Sequence, residues 1–123
     1  MEEKQKYKII FYKDRKGNEP VAEYIRKLKA TSEKNKDARI NLEKIIEYMN
    51  VLKRKGFEAG YPYIKHIKGD IWELRPLRNR IFFFCWSGEA FVMLSHFMKK
   101  TQETPKSEKD KAEKIMKRFL NGE

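Results

Sequence analysis

The chain has 123 residues and a formal net charge of +11, because 29 Lys and Arg residues outnumber 18 Asp and Glu residues. This length is enough for one domain with a single core, and a hydrophobic content of 40% excludes a wholly disordered chain, so we expect one domain covering residues 1–123. The excess of cations favours a polyanionic partner, since each phosphate contact releases condensed counterions, although a well-solvated basic surface is the simpler alternative.

The N-terminal part of the chain predicts a strand and then a helix. Residues 1–6 lack the apolar core of a signal peptide, and no apolar run is long enough to span a bilayer, so we expect a cytoplasmic protein without a membrane segment. A first strand is predicted at residues 7–12, followed by a turn at 13–17. Asn18 is the expected cap of the next helix, with Pro20 in its first turn.

Two amphipathic helices are predicted after this strand. The first has an apolar stripe that includes Val21 and Leu28, and the second, at residues 37–55, has apolar residues at spacings of three and four before Gly56 ends it. We expect the two helices to form a hairpin on one face of the sheet. Lys53 and Arg54 suit the negative end of the second helix dipole or a phosphate ligand, and both interpretations remain open.

The second half of the chain predicts a run of four strands and a last helix. The strands are expected at residues 63–68, 71–75, 80–86 and 90–97, with a glycine-containing hairpin at 87–89. Residues 71–75 alternate apolar and charged side chains, which predicts one solvated face, whereas residues 80–86 are apolar on both faces, as in a covered central strand. Thr104 is the expected cap of the final helix, with Pro105 in its first turn.

The single cysteine, Cys85, lies in the middle of the central strand, where we expect it to be a small buried apolar residue. It cannot form an intrachain disulfide. Together with the two histidines, His66 and His96, it lacks the spacing of a zinc site, so no metal or cofactor is expected.

Arg75 and Arg80 are the first candidates for chemistry. Each is a permanent cation at or near the end of a strand that is otherwise built for burial, and a guanidinium held by a sheet can present its donor fork to a phosphate. The simpler alternative is a salt bridge, for example between Arg75 and Glu73 on the same strand face.

His96, Lys99 and Lys100 form the second candidate cluster. A histidine beside lysines at a strand end could transfer protons while the ammonium groups stabilise phosphate charge, as RNA cleavage by its own 2′-OH requires. A structural histidine and a solvated lysine corner are the alternatives. Further RNA-binding candidates are Lys53, Arg54, Lys65, Lys68 and Arg78, and the tyrosines best placed to stack on a base are Tyr61 and Tyr63.

Three ordered motifs carry a resemblance to a known family. They are Glu73-Leu74-Arg75-Pro76, then Arg80-Ile81-Phe82-Phe83, then Phe97-Met98-Lys99-Lys100 followed by Thr101-Gln102-Glu103-Thr104-Pro105, and the stretch from Phe11 to Val21 is similar as well. In these motifs the chain resembles the phage-derived Gp49-like group of HigB toxins within the RelE/ParE superfamily.

The resemblance implies an α+β, RelE-like fold: a small antiparallel-dominated twisted sheet packed by an N-terminal helical hairpin, with a C-terminal helix. It implies a metal-independent endoribonuclease that cuts mRNA in the ribosomal A site and inhibits translation. It also implies a HigA-like helix-turn-helix antitoxin, with which the toxin would form a hetero-oligomer. The functional residues carried over are Arg75, Arg80, Lys99 and Lys100.

The chain departs from the pattern of this group at one position. Many members place a histidine two residues before the phenylalanine of the Phe-x-Lys-Lys motif, whereas Ser95 stands there and His96 adjoins Phe97. A shift of one residue moves a strand side chain to the opposite face, so His96 is either catalytic or structural. Two other functions stay open: a ParE-like inhibitor of gyrase and a non-enzymatic nucleic-acid-binding module.

Overall fold

A computed structural model describes residues 5–123 of the chain. The expectation of no signal peptide rested on residues 1–6, and the first four of these lie outside the described residues. The elements in chain order are β1 (Lys8–Phe11), α1 (Pro20–Thr31), α2 (Lys36–Lys55), a 3₁₀ turn (Gly56–Ala59), β2 (Ile64–Lys68), β3 (Ile71–Leu74), β4 (Asn79–Trp86), β5 (Ala90–Met98) and α3 (Lys106–Leu120).

The five strands form one sheet in the order β1-β5-β4-β3-β2. β1 runs parallel to β5, and the other three neighbouring pairs are antiparallel. Three helices accompany this sheet within residues 5–123. The predicted α+β class with an antiparallel-dominated sheet is therefore confirmed.

The helical hairpin of α1 and α2 covers one face of the sheet, which we call the hairpin face. Val21 of α1 and Ile45, Met49 and Leu52 of α2 share a core with residues that alternate along the strands: Ile64, Leu74, Ile81, Phe83, Phe91 and Met93. The packing predicted for the two helices is confirmed, because their apolar stripes are buried against the hairpin face of the sheet.

The C-terminal helix covers the opposite face, which we call the α3 face. Ala112 and Ile115 pack there with the other set of strand residues, namely Ile71, Phe82, Phe84, Val92 and Leu94, together with Tyr12. β4 is thus buried on both sides, as its continuous apolar sequence predicts. Cys85 of this strand is only half-buried, so the prediction of a buried residue is wrong.

The predicted solvated face of β3 is wrong as well. Glu73 is 2% exposed, and the hydroxyl of Thr104 donates to its Oε2 at 3.4 Å. The segment before α3 therefore covers this part of the α3 face. Alternation of charged and apolar residues does not distinguish a carboxylate in water from one that is buried beside cations.

Two predicted helix caps are also wrong, because each side chain has a different partner. The side-chain amide of Asn18 donates to Asp14 Oδ2 at 3.0 Å, and the residue before α1 is Glu19. Thr104 bonds Glu73, and Pro105 precedes α3. Gly56, in contrast, ends α2 as predicted, with φ +58° and its N–H donated to the Leu52 carbonyl.

Among residues 5–123 there is no helix whose length and apolar content would let it cross a membrane.

Candidate functional site

Arg75 and Arg80 lie together on the α3 face, on either side of a buried carboxylate. Glu73 Oε1 is 3.5 Å from Arg75 Nε and 3.8 Å from Arg80 Nε. Both Nε atoms are buried, and neither has a hydrogen-bond partner within the described residues. The predicted salt bridge between Arg75 and Glu73 is therefore present, and it also includes Arg80. Two cations around one carboxylate leave this cluster with a net positive charge.

The connector between β3 and β4 fixes Arg80. Its Nη1 donates to the carbonyl of Leu77 at 2.8 Å and to the carbonyl of Asn79 at 2.9 Å, and the side chain is 7% exposed. Leu77 adopts φ +59°, a left-handed conformation that costs a non-glycine residue about 1–2 kcal/mol. The strained turn thus presents a carbonyl to the guanidinium and holds it rigidly.

Burial lowers the pKa of Arg80, the charge of Arg75 lowers it further, and Glu73 acts in the opposite direction. Because a guanidinium remains protonated throughout the neutral range, this lowering does not remove the charge. Arg80 is therefore a buried cation with the second cation, Arg75, close to it.

Arg78, Lys99 and Lys100 line a shallow pocket of about 330 Å³ together with Thr101 and Gln102. The connector and the end of β5 are joined directly here, since the Lys99 N–H donates to the Arg78 carbonyl at 2.8 Å. Arg78 is two residues from Arg80. The segment that carries Lys99 and Lys100 continues to Thr104, whose hydroxyl donates to Glu73. Two short stretches of chain therefore link the basic pocket to the arginine cluster.

His96 lies on the hairpin face, away from these cations. Its ring stacks on Tyr24 of α1, with 3.6 Å between ring centroids, and its Nε2 is 3.1 Å from Asn79 Oδ1. Burial is the main cause that lowers the pKa of His96 to about 4, with a smaller contribution from the charge of Lys111. The imidazole is therefore neutral at neutral pH and donates from Nε2 to the amide oxygen.

A β-bulge explains this placement. Phe82 pairs with Ser95 but Phe83 pairs with Met93, so Leu94 is an extra residue on β5. The extra residue reverses the alternation of the rest of the strand. His96, paired with Ile81, consequently faces the helical hairpin, and Ser95, paired with Phe82, faces the α3 side.

Asn79 connects this end of β4 to both helices of the hairpin. Its Oδ1 accepts from the Tyr24 hydroxyl at 2.7 Å as well as from His96, and its amide nitrogen donates to Asn41 Oδ1 at 2.8 Å. Asn79 is fully buried. The network holds His96 in a structural setting.

The remaining candidate RNA-binding residues do not share one location. Lys65, on the edge strand β2, is exposed and pairs in register with Glu73 of β3. Lys68 forms an ion pair with Glu113 of α3 at 3.0 Å. Lys53 lines a separate cavity that includes β1 residues at the other edge of the sheet, and Arg54 follows it near the end of α2.

Glu73 and Asn79 hold the arginine cluster and the His96 network together, although neither is among the candidate residues predicted from the sequence. The sequence predicts Glu73 as a salt-bridge partner of Arg75, since its place two residues before Arg75 puts both side chains on one strand face. Nothing in the sequence marks Asn79, because a polar residue between two strands is typical of any turn. Within residues 5–123 no group of three or more His, Cys, Asp or Glu side chains is arranged to hold a metal ion.

Fold and site together define a small basic α+β domain with a rigid arginine pair beside a lysine-lined pocket. The chain belongs to the family described as phage derived protein Gp49-like (DUF891), whose model matches residues 23–117. This is a family of RelE/HigB-like toxins, so membership is consistent with the toxin of a toxin–antitoxin pair and implies an antitoxin as partner. A search of curated proteins found no match to the chain.

Proposed function

We propose that this protein is a HigB-type toxin that cleaves mRNA in the ribosomal A site, inhibits translation, and is silenced by a helix-turn-helix antitoxin. The observation that carries the proposal is the arginine cluster: Arg75 and Arg80 share the buried carboxylate of Glu73 and are fixed on the ends of two strands. A rigid pair of guanidinium groups with spare positive charge is suited to a phosphodiester and to the charge that develops in its transition state.

In the proposed reaction the 2′-oxygen of the substrate forms a bond to phosphorus while the bond from phosphorus to the 5′-oxygen breaks. The products are a 2′,3′-cyclic phosphate and a free 5′-hydroxyl. The proton of the 2′-hydroxyl ends on the departing 5′-oxygen, and Lys99 and Lys100 are the groups we assign to this transfer and to charge neutralisation. Since His96 faces the hairpin, the proposal gives it no part in the chemistry.

The test is to induce wild-type and variant chains in cells and to map the 5′ ends of transcripts. We expect R75A and R80A each to lower cleavage by about 10²–10³, the usual effect of removing one electrostatic donor from such a site. R75K and R80K retain the charge that balances Glu73 but lose the planar donor fork of the guanidinium. If these variants are folded and still cleave poorly, the loss of cleavage comes from phosphate binding and not from unfolding. R39A, at an exposed position on α2, is the matched control.

Full cleavage by folded R75A and R80A chains would show that these arginines are not the phosphate ligands. Intact transcripts together with DNA damage would indicate that the protein inhibits gyrase and is not a nuclease. Intact transcripts without DNA damage, and RNA affinity that falls steeply with salt, would leave a nucleic-acid-binding module.

A further inference from the structure

Tyr61 is the most exposed large hydrophobic side chain in the described part of the chain, at 78%. It lies in the short loop between the 3₁₀ turn and β2, and its ring centre is 5.1 Å from Arg75 Cζ. Tyr63, the other tyrosine of this region, is half-buried and packs on Tyr48 with 4.7 Å between ring centroids. Core packing therefore accounts for Tyr63 but not for Tyr61.

The loop that carries Tyr61 is fixed on both sides. The Ile64 N–H donates to the Gly60 carbonyl at 3.0 Å, and the Arg75 N–H donates to the Tyr63 carbonyl at 2.9 Å. The ring thus stands on an anchored loop, beside a strand whose arginine belongs to the candidate phosphate site.

The contact with Arg75 leaves most of the ring open. A cation over an exposed aromatic ring is a weak interaction, and one guanidinium covers no more than one face of the ring. The solvent-facing surface of Tyr61 is a flat aromatic platform next to a cation. Single-stranded RNA binds in this manner: its phosphate meets a guanidinium while its unstacked base lies on an aromatic side chain.

We propose that Tyr61 is a base-stacking residue for single-stranded RNA, and that the nucleobase adjoining the phosphate on Arg75 stacks on its open face. The proposal rests on the proposed function in one respect, namely that Arg75 binds the substrate phosphate. Because every base has a π-face, Tyr61 strengthens binding without selecting one codon.

The test compares two 2′-O-methyl oligoribonucleotides of equal length and charge, which cannot be cleaved: one with all its bases and one with abasic residues at its centre. Stacking of one base contributes about 1–3 kcal/mol, so we expect the wild-type chain to bind the complete oligonucleotide about 5- to 150-fold more tightly. Y61F should keep this ratio. Y61A and Y61L should bring it close to one, with thermal unfolding measured to show that each variant is folded.

Two results would overturn the proposal. One is a wild-type ratio near one. The other is a Y61A chain that binds both oligonucleotides more weakly by the same factor, which would mean that the ring only positions Arg75.

Failure of the proposed function gives a different pattern. If Arg75 binds the phosphate, R75A should weaken the binding of both oligonucleotides together and leave their ratio above one, whereas an R75A chain that binds both as tightly as the wild type would show that Arg75 is not the phosphate ligand. Transcripts that stay intact when the wild-type chain is induced would remove the nuclease activity, while the ratio of the two affinities would still decide the role of Tyr61.

Discussion

Glu73 is the residue that makes the arginine cluster possible. A carboxylate that is 2% exposed loses its hydration, and two guanidinium groups within 4 Å compensate for that loss. Replacing such a group by an apolar residue is often neutral or stabilising, so stability alone gives no reason to place two arginines and a glutamate there. The net positive charge of the cluster and the two backbone carbonyls that hold Arg80 are compatible with the anionic ligand proposed above.

His96 leads to a prediction about pH. Its pKa is about 4 in the folded chain, because burial disfavours the imidazolium, against an ordinary value of 6.5 in the unfolded chain. Below pH 6.5 the unfolded chain therefore takes up a proton that the folded chain does not. The contribution of the neutral His96 to the free energy of unfolding is therefore complete above pH 6.5 and is lost as the pH falls from about 6.5 to 4. We expect this loss to be roughly 1–3 kcal/mol, because the ring is not fully buried.

Urea unfolding of wild type and H96Q at a series of pH values measures this effect. Carboxylates titrate in the same range in both chains, so the informative quantity is the difference in unfolding free energy between them. That difference should fall as the pH is lowered from 7 to 4. A difference that stays constant over this range would show that the imidazole does not become protonated on unfolding.

At the scale of elements, most strands and helices could be predicted because hydrophobic periodicity and glycine positions determine them. The bulge at Leu94 could not. The predicted strand at residues 90–97 is apolar on both faces, so an extra residue breaks no visible alternation. That one residue decides which face His96 occupies, and it separates His96 from Arg80.

For the site, the sequence identified Arg75 and Arg80 because cations at the ends of apolar strands are conspicuous. It could not show that Glu73 is buried, since period-2 alternation is the same whether the charged face meets water or another segment of the chain. The segment that covers Glu73 is distant in sequence, and only the tertiary fold brings Thr104 to it.

The end of α2 gives a prediction at this scale. A Cβ on Gly56, at φ +58°, would lie 2.6 Å from Cε2 of Tyr7, whereas Gly69, at φ +55°, has nothing within 4 Å of its Cβ position. Alanine at either position is strained, because both glycines have a positive φ that L side chains rarely adopt. Only G56A must also displace the Tyr7 ring, which packs on Phe91 at 5.0 Å.

We therefore expect G56A to lower the free energy of unfolding by roughly 1–3 kcal/mol more than G69A, the usual cost of overpacking a core. Chemical denaturation of the two variants and the wild type measures both losses. Equal losses would mean that the Tyr7 ring moves aside without a measurable cost.

At the scale of the whole molecule, the net charge of +11 can attract RNA either through the whole surface or through one site. Arg78, Lys99 and Lys100 line one pocket beside the arginine cluster, whereas Lys27, Lys29 and Lys34 are exposed on α1 and on the turn after it. Each phosphate of single-stranded RNA that a protein neutralises contributes about 0.7 to the slope of log affinity against log salt.

Replacing Arg78, Lys99 and Lys100 together by Gln is expected to reduce that slope by about 2, because three phosphate contacts are lost. Replacing Lys27, Lys29 and Lys34 by Gln removes the same net charge and should leave the slope nearly unchanged. The measurement is the dissociation constant of a 2′-O-methyl oligoribonucleotide at several salt concentrations. Equal changes in the two triple variants would mean that RNA is attracted by the charged surface as a whole, and the basic pocket would then have no special part in binding.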